Sequence, residues 1–283
     1  MRAGAPSRTA RGAAAYRALH QTLDGAAIFS DPYALTILNE ETRDSLDAIA
    51  ADPSQRQMRL FIVARSRFSE DALAASVARG VRQVVVLGAG LDTFSLRNPF
   101  ASAGVRVFEV DHPATQAWKR DRLQQAGLSE PVSLTFAPID FERQSLADGL
   151  AKAGFRSDRP TFFQWLGVTP YLTREAIFGT LDFIASIPQS AVVFDYTEPL
   201  ESHAPARRAR LTAIAERAAA RGEPWLSFFE PAELSALLHK MGFVEIEDLG
   251  FAEMVSRFSP ALGEGLEGGP GGHVIQAAQA PER

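Results

Sequence analysis

An α/β fold with a mostly parallel sheet, finished by an antiparallel hairpin, is predicted by three observations. Strand-like runs alternate with helical ones from Gln83 onward. The first such run, Gln83-Val84-Val85-Val86-Leu87, breaks abruptly into Gly88-Ala89-Gly90. The second, Val105 to Asp111, ends in acids about 20 residues beyond that break, the spacing at which a carboxylate reaches a ribose diol. Strand, glycine turn, crossover, strand and acid make one half of a nucleotide-binding sheet.

The chain as a whole sets the bounds. Its 283 residues suffice for one large domain or one domain with a cap. A net charge of −5 gives no electrostatic reason to bind nucleic acid or an anionic membrane surface. The chain has no cysteine, which excludes disulfides, thiolate catalysis and Cys-ligated zinc and fits the cytoplasm. No run is long enough to span a bilayer, and Met1 to Pro6 lacks the apolar core of a secretory signal. The histidines His20, His112, His203, His239 and His273 show no ligand spacing, so no metal is expected.

Residues 1–78 read as an N-terminal helical cap. Thr9 to Leu19 is alanine-rich and helical in composition. Asp31-Pro32 forbids a continuing helix at the aspartate, and Asp31 is then expected to cap a helix running from Pro32 through Leu38. Met58 to Ala78 carries an apolar stripe through Leu60, Val63, Ala64, Phe68, Leu73 and Val77. Arg65 and Arg67 lie in that helix, and spacing alone reads them as solvated cations.

Residues 79–283 read as the sheet domain. After the first two strands, Pro113 to Ala126 is a helix stopped by Gly127. Val132 to Phe136 is a third strand. Asp140 follows it, either accepting from an adenine amino group or capping a helix that begins near Phe141. Pro160 to Leu166 is a fourth strand, a helix capped by Thr173 follows, and Ala191 to Tyr196 is a fifth. Strands separated by helices imply parallel pairing with right-handed crossovers. A substrate-side insertion is placed at about residues 196–226, including a helix from Arg207 to Arg221. Pro231 to Met241 is a helix. Phe243 to Asp248 and His273 to Ala278 are the last strands, with the Gly-rich segment Gly263 to Gly272 read as an exposed hairpin loop.

The glycine turn also bears on the kind of nucleotide. A dinucleotide site wants a third small residue where Thr93 stands, and Asp92 would lie close to a pyrophosphate and repel it. A carboxylate there can instead accept from an ammonium group. S-adenosyl-L-methionine has the ribose, the adenine and the amino-acid end without the phosphates, and fits better than NAD.

These motifs resemble the leucine carboxyl methyltransferase family, in particular its bacterial small-molecule O-methyltransferase branch. The resemblance spans roughly Ser7 to Ala278 and rests on Phe29-Ser30-Asp31-Pro32-Tyr33, Ala64-Arg65-Ser66-Arg67-Phe68, Leu87-Gly88-Ala89-Gly90-Leu91-Asp92-Thr93, Phe108-Glu109-Val110-Asp111-His112-Pro113, Ile139-Asp140-Phe141 and Gly167-Val168-Thr169-Pro170-Tyr171-Leu172. It implies a Rossmann-like class I methyltransferase fold with a seven-stranded sheet. It implies that Arg65 pairs with the cofactor's carboxylate, that Gly88 and Gly90 let the backbone pass close to the methionine part, and that Asp111 holds the ribose, with Glu109 a lesser contributor. Asp140 and Phe141 would contact the adenine, and Arg17 is the candidate for an N-terminal basic contact. Relatives commonly carry Glu-Gly where this chain has Leu166-Gly167, so a protein C-terminal leucine is not expected as its substrate.

The implied reaction is S-adenosyl-L-methionine-dependent O-methylation of a small molecule, a carboxylate being the expected acceptor. A carboxylate is ionised at neutral pH and needs no general base; a phenol or alcohol does. Candidates for a catalytic role are Tyr196, His203, Tyr171 and Arg207. The alternatives are O-methylation of a phenol or alcohol, an NAD-dependent oxidoreductase, and an inactive protein that only binds S-adenosyl-L-methionine.

Overall fold

The computed structural model describes residues 8–141, 143–220, 222–266 and 272–280. Seven strands form one sheet: β1 (Gln83–Leu87), β2 (Arg106–Asp111), β3 (Leu134–Pro138), β4 (Thr161–Trp165), β5 (Ala191–Thr197), β6 (Glu245–Gly250) and β7 (Gly272–Ala278). Their order is β3-β2-β1-β4-β5-β7-β6. The first five pair in parallel, while β7 runs antiparallel to both β5 and β6. The helices are α1 (Arg8–Leu23), α2 (Glu40–Asp44), α3 (Leu46–Ala51), α4 (Arg56–Ala78), α5 (Phe94–Arg97), α6 (Pro113–Gln125), α7 (Leu146–Lys152), α8 (Arg174–Ala185), α9 (Pro205–Ala219), α10 (Pro231–Lys240), α11 (Phe251–Phe258) and α12 (Pro260–Gly263).

The β-branched run of β1 is explained by burial on both faces. Val84 and Val86 pack with Leu60, Val63 and Phe68 of α4 and with Met254 and Val255 of α11. Val85 and Leu87 pack on the other face with Leu150, Ile177, Leu181 and Leu238 of α7, α8 and α10. A third cluster joins Ala14 and Ala18 of α1 to Ile37, Leu38, Leu91 and Leu123, and seats the first helix beside the carboxyl edge of the sheet. The helix α4 therefore covers one face of the sheet. Among the described residues no helix is long and apolar enough to cross a membrane.

Two expected helices do not form. Pro32 to Leu38 forms successive turns, not a helix. Asp31 does accept from the Tyr33 N–H at 3.2 Å, but its second oxygen is drawn away by Arg17 Nε at 3.0 Å and the Thr93 hydroxyl at 2.7 Å. No helix begins at Phe141. The Asp140 carbonyl closes a turn with Arg143 and Gln144, and α7 starts later, with the Ser145 hydroxyl accepting from the Asp148 N–H at 3.1 Å. Between β6 and β7 the chain forms α11 and α12 ahead of the Gly-rich segment. Residues 267–271 of the Gly-rich segment, Arg221 at the end of the expected insertion helix and Met1 to Pro6 lie outside the described residues. Two strands are displaced by two residues: β3 starts at Leu134 because the Leu134 N–H closes a turn on Pro131 at 2.9 Å, and β6 starts at Glu245.

Candidate active site

A cavity of ≈ 340 Å³ opens at the carboxyl ends of β1, β2 and β4, under the start of α1. Open parallel sheets bind ligands at this edge, at the point where strand order reverses. Here the reversal falls between β1 and β4.

Glycine is required at the floor. Gly88 has φ +65°, and a Cβ there would lie 2.4 Å from Val168 Cγ2. Gly90 has φ +47°, and a Cβ would lie 3.0 Å from the Ala10 methyl. The Gly90 N–H donates to Asp111 Oδ2 at 2.7 Å, and the His112 N–H donates to Asp111 Oδ1 at 2.7 Å. The carboxylate is thus fixed at the tip of β2, with lone pairs left for a ligand. Asp92 also faces the cavity. It accepts from the Phe94 N–H at 2.7 Å, which opens α5, and from Gln164 Nε2 at 3.2 Å.

Beneath this bend lies a buried ion pair. Lys119 Nζ donates to Glu109 Oε2 at 2.6 Å and to the Asp92 carbonyl at 2.6 Å, and the Ser95 hydroxyl completes the set at 2.6 Å. Burial pushes the Glu109 carboxyl up, against the pull of Lys119 and Ser95. Glu109 does not line the cavity; it props the bend from behind.

Arg65 does line the cavity and is buried, so the solvated reading holds for its neighbour alone: Arg67 is half exposed and pairs with Asp71 at 2.8 Å. Arg65 Nη1 donates to Asp195 Oδ2 at 2.5 Å, and the other oxygen of Asp195 accepts from the Gly167 N–H at 2.6 Å. Arg65 Nε is buried and has no partner among the described residues. Arg17 also reaches the cavity wall, donating to Asp31 and, through Nη2, to the Leu91 carbonyl at 2.6 Å.

The remaining candidates separate. Tyr171 lines the cavity, with Thr9 Oγ1 3.4 Å from its hydroxyl, and burial raises its pKa. Tyr196, His203 and Arg207 do not line it. Tyr196 is turned to the opposite face and donates to Asp248 Oδ2 at 2.5 Å. Burial and then Asp248 push its pKa upward. His203 is buried, with Glu198 3.7 Å away, and burial followed by the charge of Arg207 lowers its pKa. Asp140 and Phe141 stand outside the cavity lining, on the loop after β3; Phe141 is 61% exposed. That loop is tied to Asp111 by the Ile139 N–H, which donates to the Asp111 carbonyl at 3.0 Å.

Sequence reasoning missed Asp195, Gln164, Thr9 and Glu223. Asp195 gave a signal: an acid inside the apolar run of β5 needs a cation to be buried. Thr9 and Glu223 gave none, since they meet only through the tertiary fold.

The sheet order, the glycine bend and the acid at the tip of β2 define a class I S-adenosyl-L-methionine-dependent methyltransferase. The chain belongs to the leucine carboxyl methyltransferase family, which it matches over residues 10–185. A Bacillus subtilis (strain 168) protein bearing the name "Putative S-adenosyl-L-methionine-dependent methyltransferase YktD" is 34% identical over 274 residues, covering 88% of this chain and 90% of that one. A similarly named protein of Mycobacterium avium (strain 104) is 28% identical over 287 residues, covering 92% and 90%. Two solved structures share the fold. One, from Thermobifida fusca YX, has a TM-score of 0.61 at 15% identity and covers 98% of this chain and 96% of that one. The other, a DUF574 family protein from Streptomyces avermitilis MA-4680, has a TM-score of 0.60 at 16% identity, covering 97% and 98%. The cofactor is S-adenosyl-L-methionine.

Proposed function

We propose that the protein transfers a methyl group to an oxygen of a small-molecule acceptor. The observation that carries this is the cavity itself. One cleft of ≈ 340 Å³ joins the glycine bend to the cap residues Thr9, Ala10 and Ala13. The cofactor would take up much of that space, which favours a small acceptor over a folded protein.

The site fits the cofactor. Gly88 and Gly90 let the bend turn tightly beneath Val168 and Ala10, Asp111 presents a fixed carboxylate for the ribose hydroxyls, and Asp92 offers an acceptor for the ammonium group. Arg65, with its buried unpartnered Nε, faces the carboxylate end, and Arg17 braces α1 over the bend. Asp140 and Phe141 flank the adenine side from the β3 loop. When bound, the cofactor supplies a methyl group on a sulfonium, which is already electrophilic. The protein's task is then to hold the acceptor oxygen in line and exclude water.

A screen with tritiated-methyl S-adenosyl-L-methionine against small carboxylic acids, phenols, alcohols, amines and a peptide with a free C-terminus tests this reading. Oxygen-bound label is the expected product. Label found only on nitrogen, or only on a peptide C-terminus, contradicts it.

A further inference from the structure

We propose that Glu223, with Thr9 and Tyr171, forms the acceptor end of the cavity, and that the acceptor presents a neutral hydroxyl there, as a small alcohol or phenol. The proposal rests on the oxygen-methylation reading above and chooses between its two acceptor classes.

The three residues come from three separate elements. Thr9 lies in the first turn of α1, Tyr171 in the short turn after β4, and Glu223 on the return from α9. All three line the cavity. They meet on the β4 side of β1, whereas Asp111 stands on the β2 side, so the ribose acid and this cluster flank the glycine bend from opposite directions. Thr9 Oγ1 donates to Glu223 Oε2 and lies 3.4 Å from the Tyr171 hydroxyl. A hydroxyl has one proton to give, so the chain runs from Tyr171 to Thr9 to Glu223 and ends on a carboxylate. That carboxylate can accept further hydrogen bonds. Val168, Leu172 and Pro224 supply apolar wall beside it.

The sign of the charge selects the substrate. A carboxylate acceptor brought to Glu223 would set two anions side by side, which each disfavours in the other. Of the cations that reach the cavity among the described residues, Arg17 is held by Asp31, and Arg65 is held by Asp195 and given on this reading to the cofactor's own carboxylate. A neutral hydroxyl meets no such penalty and finds an acceptor aimed at it. In the transfer step the hydroxyl oxygen's lone pair forms the new O–C bond as the S–C bond breaks. The hydroxyl proton passes to Glu223, and the sulfonium becomes a neutral thioether.

The test uses the full chain with tritiated-methyl S-adenosyl-L-methionine and four probes built on one ring: phenol, benzyl alcohol, benzoate and benzylamine. Label is expected in phenol or benzyl alcohol as a base-stable ether. Glu223→Gln is expected to lower kcat for that probe by about 10²- to 10⁴-fold, the usual contribution of a positioned base. It should also flatten the acid limb of the pH–rate profile and leave cofactor affinity by calorimetry within about twofold. Glu223→Asp should recover part of the rate. Label confined to benzoate, or hydroxyl transfer that Glu223→Gln leaves unchanged, overturns the proposal while oxygen methylation stands. Label confined to benzylamine overturns both. No label in any arm, from a protein that binds the cofactor, also overturns the proposal.

Discussion

Lys119 and Glu109 show how much of the site lies behind the residues that face the ligand. Their pair is fully buried, and Lys119 also holds the Asp92 carbonyl of the glycine bend. Lys119→Met leaves a buried acid without its cation, which costs about 3–5 kcal/mol near neutral pH. The Glu109 pKa is raised by burial, so the folded variant binds a proton that the unfolded chain has lost. Its stability therefore rises as pH falls from 7 toward 5, and Glu109→Gln in the same background removes that slope. Urea unfolding at the two pH values checks both. His203 belongs to a different group: it sits by Glu198, outside the cavity. His203→Ala is expected to keep cofactor affinity and most of kcat, and a thousandfold loss of kcat with intact binding would restore it as a catalytic candidate. At this scale the sequence displayed Asp111, Gly88, Gly90 and Arg65 through local spacing and motif. It marked Asp195 as a buried acid in need of a cation but concealed which one, because that partner is 130 residues away.

Between elements, the joint of α1 and α4 carries a pH signature of its own. Asp24, just past α1, accepts from His20 Nδ1 at 2.9 Å and from Arg59 Nε at 2.8 Å and Nη2 at 3.2 Å. The other ring nitrogen of His20 accepts from the Ile28 and Phe29 N–H groups, which closes the turn. Burial alone would raise the Asp24 pKa, but the bonds from His20 and Arg59 and their charges bring it to about 2. A depressed acid contributes stability that is present above its unfolded value and lost as pH falls through the folded one. The contribution is about 2 kcal/mol, lost between pH 4 and pH 2. Asp24→Asn should remove that part of the acid transition, followed by circular dichroism; an unchanged transition would assign it to other carboxylates. The elements were legible to different degrees. The run of β1 and the stripe of α4 announced themselves. Phe251, Met254, Val255 and Phe258 of α11 also recur at helical spacing, but a helix of 8 residues is too short for that period to stand out. Pro32 to Leu38 had good start signals, but the pull of Arg17 and Thr93 on Asp31 is tertiary and could not be read locally.

Across the whole molecule, strand order is what turns scattered residues into a site. Gly88, Asp111, Gln164 and Asp195 lie far apart in the chain and come together only because β2, β1, β4 and β5 are neighbours at one edge. The alternation of strands and helices made that order inferable, whereas the closure of α1 and the 222–224 segment over it was not, since nothing local links Thr9 to Glu223. On the proposed reading, Asp111, held by the Gly90 and His112 N–H groups, is the acceptor for the ribose. Calorimetric titration of S-adenosyl-L-methionine into the wild type and into Asp111→Ala tests it most directly. Hydrogen bonds to a charged group are worth about 1.5–3 kcal/mol, so affinity should fall by roughly 10- to 150-fold in a variant that still unfolds cooperatively. Equal affinity in the two proteins would contradict the account.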